Sequence, residues 1–209
     1  MPIILLIRHG ENDYVKKGRL AGRQPGIHLN DTGRKQAQAL ADDLTQKFDM
    51  AAFKAIYSSP LERTMETAKP IAESLELEVI PRPGLLETDY GEWQDKKLKG
   101  LSRLKIWRVV QFSPSRMRFP GGETFAETQF RICQEIESLC EMHEPKDMIL
   151  CVTHADPIKL AVAHYLGMHL DMFQRLIVSP GSITTLQIRD ASARLFTLNF
   201  IPSLNTPEH

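Results

Sequence analysis

ILLIRHGEND, residues 4–13, runs from four apolar residues straight into Arg8, His9 and Gly10. An unbroken apolar run of this kind is the pattern of a strand covered on both faces, because a strand with one wet face alternates apolar and polar residues. A covered strand that ends in a cation, a titratable ring and a residue without a side chain has two readings. It is either a polar turn or the rim of a site.

Working outward, a glycine-rich polar loop reaches to about Gly33, and Ala37, Leu40, Ala41, Leu44 and Phe48 then recur at helical spacing. Ala52 to Tyr57 reads as a second strand. Leu61 to Leu75 reads as a helix in which Pro70 predicts a kink or an early stop. Leu77 to Ile80 is a short third strand. Met148 to Thr153, MILCVT, is a strong fourth, followed by a helical pattern to about Leu166, and Thr184 to Ile188 and Leu195 to Phe200 close the series. The alternation predicts an α/β fold: a three-layer sandwich with a mostly parallel central sheet, helices on both faces, and a helical cap inserted at about residues 94–122. No repeat, low-complexity tract or linker divides the chain, so residues 1–209 read as a single domain.

The chain has 209 residues, 42% of them hydrophobic, which is enough to bury a sizeable core. Basic and acidic residues number 26 each, so no overall field recruits nucleic acid or an anionic membrane. Electrostatic specificity has to be local. Cys133, Cys140 and Cys151 form no Cys-x-x-Cys pair and, being odd in number, no complete disulfide framework. They suit a reducing cytoplasm as small core residues. Pro2 to Ile7 is too short for a signal-peptide core or a membrane span, and no basic stretch precedes it. The expectation is a cytoplasmic protein with a small-molecule partner, no nucleic acid and no membrane, and with nothing to bar a homodimer.

The charged residues gather where the strands end. The first strand ends at Arg8 and His9, the second runs into SSPLER with Arg63 in the first turn of its helix, and MILCVT ends at His154. Open α/β sheets bind ligands outside the carboxyl ends of their strands, where helix N-termini also offer free N–H groups. Two arginines and two histidines converging there describe an anion site.

Five ordered segments, LIRHGE, IYSSPLERTMETA, LLETDYGEW, the PGGET turn and CVTHADPI, resemble the histidine phosphatase superfamily, which includes the cofactor-dependent phosphoglycerate mutases. The resemblance covers about residues 3 to 190 and leans toward the broad-specificity phosphatases. It implies that His9 is the phosphorylated nucleophile, that Arg8, Arg63 and His154 hold the phosphoryl group, and that Glu87 gives and takes the proton. It implies no cofactor and no metal. Asn12, just past the first motif, is a candidate substrate contact; the alternative is that it makes its own turn.

These residue types suit the chemistry independently of the resemblance. Phosphate monoester hydrolysis needs accelerations up to about 10²¹-fold, and a covalent intermediate divides the barrier. Imidazole is neutral and nucleophilic near pH 7, whereas lysine is protonated and serine needs a separate base. Arginine grips phosphate oxygens in pairs, each charge-assisted bond contributing roughly 1.5 to 3 kcal/mol. A partly buried Glu87 would carry a raised pKa and protonate the leaving oxygen. Gly10 lets the backbone approach closely after His9.

Blander readings compete at each position. Arg63 has Glu62 and Glu66 beside it as ion-pair partners, and His154 has a helix to cap. Asp89, Glu92 and Asp95 crowd the loop of Glu87. The PGGET turn reads first as a capping box of Thr124 and Glu127.

Lys96 to Arg118 holds eight basic residues and no acidic one, interleaved with Leu98, Leu101, Leu104, Trp107, Val110 and Phe112. This predicts an amphipathic helix with a solvated basic face, or a cap whose cations receive a second anionic group of the substrate. A metal hydrolase built on His9, His154, Glu11 and Asp156 sets a dication beside two arginines, and no His-Glu-x-x-His helix exists. Nucleotide loops and a nucleophile elbow at Ser182 are also missing.

Relative to the resembled family, Asn12, Tyr14 and Val15 replace the usual residues after Arg-His-Gly-Glu, and His154, Ala155 and Asp156 replace His-Gly-Gly. The chain is also shorter than the mutases. The predicted function is therefore a metal-independent phosphomonoesterase acting on a small phosphate ester. A cofactor-dependent phosphoglycerate mutase is the alternative, and a catalytically silent polyanion-binding relative the alternative of another class.

Overall fold

A computed structural model describes residues 2–189 and 192–203. Its strands β1 (Ile3–Arg8), β2 (Phe53–Ser58), β3 (Val79–Pro81), β4 (Met148–Thr153), β5 (Ile183–Arg189) and β6 (Ser192–Phe200) form one sheet in the order β3-β2-β4-β1-β5-β6. The first four run parallel to one another, and β5 and β6 add an antiparallel pair at one edge. The helices are α1 (Asp13–Lys16), α2 (Asp31–Lys47), α3 (Glu62–Leu75), α4 (Leu98–Leu101), α5 (Trp107–Phe112), α6 (Phe125–Glu141) and α7 (Ala155–Tyr165).

The unbroken apolar run of β1 is explained by its two covered faces. Ile4 and Leu6 pack with Ile132, Ile136, Ile158 and Val162 of α6 and α7. Leu5 and Ile7 pack on the other side with Leu40 and Leu44 of α2 and with Ala68 and Ile71 of α3. Each such side chain contributes roughly 1.5–3 kcal/mol by leaving water. Cys133, Cys140 and Cys151 are buried and unbridged.

Register brings the strand ends together. Arg8 of β1 lies opposite Thr153 of β4, and Ser58 of β2 opposite Val152. The next residues, His9, His154 and Ser59, therefore emerge side by side. His9 N–H donates to the Thr153 carbonyl at 3.0 Å, and Ser59 N–H to the Val152 carbonyl at 2.9 Å. A Cβ on Gly10 would stand 2.5 Å from the carbonyl oxygen of Gly33 on α2, so the turn after His9 is pressed against that helix and admits only glycine.

Two expectations are corrected. Pro70 does not stop α3, which continues to Leu75 and closes on Glu76 in the left-handed conformation, φ 55°. Burial of Ile71, Ala72 and Leu75 beyond it offsets an interior proline's cost of about 3 kcal/mol. The cap forms, but as α4, α5 and short 3₁₀ turns rather than as one amphipathic helix. Its core is Tyr90, Trp93, Leu101, Val110, Met117 and Phe119, packed on Leu160 and Phe173. All eight of its cations face solvent.

Candidate active site

At the carboxyl ends of β1, β2 and β4 opens a cleft of about 380 Å³. His9, 3% exposed, sits at its floor. The His9 Nδ1 lies 2.7 Å from the Gly10 carbonyl oxygen. A carbonyl only accepts, so Nδ1 carries the proton and Nε2 keeps its lone pair. Burial, then Arg63 and Arg8, push the His9 pKa well below its usual value, so the ring stays neutral at physiological pH.

Arg63, 1% exposed, reaches the floor from the first turn of α3. One Nη2 edge is fixed, donating to the Gly22 carbonyl at 2.7 Å and to His154 Nδ1 at 3.2 Å. Neither neighbouring glutamate pairs with it: Glu62 accepts from Gly26 N–H, and Glu66 from His28 and Leu29 N–H. Arg8 donates through Nη1 to the Val178 carbonyl at 2.6 Å. Arg8 Nε, Asn12 Nδ2 and Arg63 Nε and Nη1 are buried without a partner among the described residues. Four N–H-bearing atoms left unpaired around one cleft are costly unless an anion completes them.

His154 is buried, its ring centroid 5.2 Å from that of His9. Because Arg63 only donates, His154 Nδ1 accepts and Nε2 donates to Ser59 Oγ at 2.9 Å. The ring does not cap α7. It braces Arg63. Asn12 makes the local bond open to it, its Oδ1 capping α1 by accepting from Val15 N–H at 2.9 Å, and the residue also lines the cleft.

Glu87 is 8% exposed and lines the same cleft. Of its crowding neighbours, Asp89 accepts from Gly91 N–H, Asp95 pairs with Arg19, and Glu92 is exposed. Burial foremost, then the charge of Asp156, raise the Glu87 pKa to about 7 against the pull of Arg63 and Arg8. Its backbone carbonyl accepts from Arg23 Nε at 2.8 Å and Arg131 Nη2 at 3.3 Å. Both guanidiniums share Glu123 of the PGGET turn, whose Thr124 and Glu127 form the expected capping box. A neutral imidazole with a free lone pair, unpaired guanidinium donors and a carboxyl that titrates near neutrality are the parts of acid-assisted phosphoryl transfer. Among the described residues no group of three or more histidine, cysteine, aspartate or glutamate side chains is placed to hold a metal ion.

Residues 4–201 match the family model of the histidine phosphatase superfamily (branch 1). The chain belongs to this superfamily. It is 28% identical over 198 residues to phosphoserine phosphatase 1 of Hydrogenobacter thermophilus, covering 94% of this chain and 91% of that one. It is 28% identical over 202 residues to the 2,3-bisphosphoglycerate-dependent phosphoglycerate mutase of Thermoplasma acidophilum, covering 96% and 94%. A solved structure of a histidine-to-alanine mutant of the Entamoeba histolytica phosphoserine phosphatase, in complex with phosphoserine, superposes with a TM-score of 0.81 at 28% identity, covering 95% and 97%.

The cleft contains residues that sequence reasoning did not place there. Arg19, Tyr90, Asp156 and Lys159 line it, with Trp93 and Trp107 stacked at 6.3 Å on its apolar wall. Lys159 lies one helical turn after Asp156, a spacing that puts both on one face of α7. None of the eight cations of 96–118 lines the cleft, which corrects the expectation that they receive a second anionic group.

Proposed function

We propose that this chain hydrolyses a small phosphate monoester through a phosphohistidine on His9, without metal, in the cytoplasm. His9 Nε2 attacks phosphorus, the ester P–O bond breaks, and Glu87 gives its proton to the leaving oxygen. The resulting Glu87 carboxylate then takes a proton from water, whose oxygen attacks phosphorus. The P–N bond breaks, releasing inorganic phosphate and the free imidazole. Arg8 and Arg63 hold the phosphoryl oxygens with their unpaired donors, Asn12 Nδ2 adds one more, and His154 keeps Arg63 in place beside them.

The observation that carries the reading is the set of four unpartnered donors around a neutral His9. The phosphoserine phosphatase relatives support hydrolysis of a small ester. The mutase relative supports a second reading, primer-dependent isomerisation of a phosphoglycerate. A panel of phosphomonoesters assayed in EDTA with wild type and His9→Ala tests both, with 3-phosphoglycerate run with and without a bisphosphate primer. Activity surviving in His9→Ala removes the mechanism. Isomerisation that requires the primer selects the mutase.

A further inference from the structure

Glu87 must hold a proton before the leaving oxygen can receive it, yet it shares its cleft with two guanidiniums that favour the ionised form. Burial opposes them. So does a second carboxylate at a position where this chain departs from the His-Gly-Gly pattern. We propose that Asp156 is a positioning residue for the Glu87 proton: fixed on the first turn of α7 and lining the same cleft, its negative charge keeps Glu87 in the acid form that protonates the leaving group. The proposal rests on the reading of Glu87 as proton donor.

Asp156 is held by both oxygens. Tyr90 O–H donates to Oδ2 at 2.8 Å, and Lys159 Nζ lies 3.3 Å from Oδ1 with both side chains about 15% exposed. Lys159 in turn reaches Gln174 Oε1 at 3.4 Å. Tyr90 is buried, and burial foremost raises its pKa well above the ordinary phenol value, so it is a neutral donor that adds no charge. The charged and titratable groups that share the cleft with Glu87 are Arg8 and His9 at the end of β1, Arg63 on α3, Tyr90 on its own segment, Arg19 of the loop after α1, and Asp156 and Lys159 at the start of α7, with His154 behind Arg63. Arg23 and Arg131 meet only its backbone carbonyl. Both histidines are held neutral by burial and the guanidiniums, so Asp156 is the anion in this set that offsets Arg8 and Arg63. Lys159 partly cancels that anion, which gives the pair a testable asymmetry.

Asp156→Asn keeps the Tyr90 bond and removes the charge. The pH profile of His9 phosphorylation by phenyl phosphate, read by rapid quench, should move its alkaline limb about one unit lower. The Glu87 carboxyl resonance in a carbon-13 titration should move with it. At pH 7.5 phosphorylation by phenyl phosphate should fall about fivefold to tenfold, and by p-nitrophenyl phosphate, whose leaving group needs little protonation, less than twofold. Lys159→Gln should move the limb and the resonance the opposite way, and it decides the matter if Asp156→Asn does not fold. An unmoved limb and resonance in a folded variant overturn the inference and leave the proposed function standing. Full activity of Glu87→Gln with phenyl phosphate overturns the reading of Glu87 itself, a separate failure.

Discussion

Arg63, at the floor of the cleft, and Arg103 or Arg108, on the cap above it, are the same residue type put to opposite uses. Arg63 is 1% exposed, pinned along one edge by Gly22 and His154, with Nε and Nη1 left unpaired. The cap cations lie in solvent while Trp107, Val110 and Phe119 of the same segment turn into the cleft. A guanidinium becomes a binding group when the scaffold removes it from water and leaves its donors aimed at one point. The density of cations along a stretch does not accomplish that, because an exposed charge keeps its hydration and is screened by salt. Under the proposed function the floor receives the phosphoryl group, and the apolar wall of Trp107, Val110 and Phe119 faces the rest of the ester.

Substitutions break or sharpen this contrast in graded steps. His9→Ala should lower turnover of phenyl phosphate more than ~10⁴-fold, measured with EDTA present, because it removes the imidazole whose free lone pair would attack phosphorus. Arg63→Ala should lower kcat/KM by about 10²- to 10³-fold, the cost of removing pre-aligned transition-state donors. Glu87→Gln should lower phosphorylation by about 10²-fold or more with poor leaving groups, and it should also stabilise the fold at alkaline pH. The sign follows from linkage: a carboxyl whose folded value is about 7, above the usual 4.5, loses folding stability as pH rises through that interval. At pH 8 the variant should gain about 3 kcal/mol in urea unfolding, a gain that disappears below about pH 4. Trp107→Ala should raise KM for aryl phosphates about fivefold while changing kcat little. Arg103→Ala and Arg108→Ala, on the exposed side of the contrast, should leave KM within about twofold for every ester tested. A tenfold rise there would put the cap cations back into substrate binding.

Much of the floor was legible because strand ends are legible. The apolar runs of β1, β2 and β4 are continuous, so their last residues mark where polar chemistry begins, and Arg8, His9, Arg63 and His154 all fall at those marks. Glu87 was legible through the family resemblance and not through periodicity, since it sits in a segment whose other acids only burial and pairing separate from it. The extent of α3 was legible from its apolar stripe, and the early stop offered at Pro70 does not occur because propensity is local and the burial that overrides it is not. The cap misled for a related reason. Eight cations interleaved with apolar residues fit a helical face, but glycine, proline and short turns break the segment: Leu101, Trp107 and Val110 join the core of Tyr90, Phe119 and Phe173, while Leu98, Leu104 and Phe112 stay exposed.

Residue types and their order were sufficient to determine a mostly parallel covered sheet, the superfamily, and the strand ends around which Arg8, His9 and Arg63 gather. Tertiary structure alone decided which donors are left unpaired, that His154 braces Arg63, and that Asp156 shares a cleft with Glu87. Those outcomes depend on register between strands distant in sequence and on which side chains lose their water. Desolvation is a property of the assembled neighbourhood, which no single segment contains.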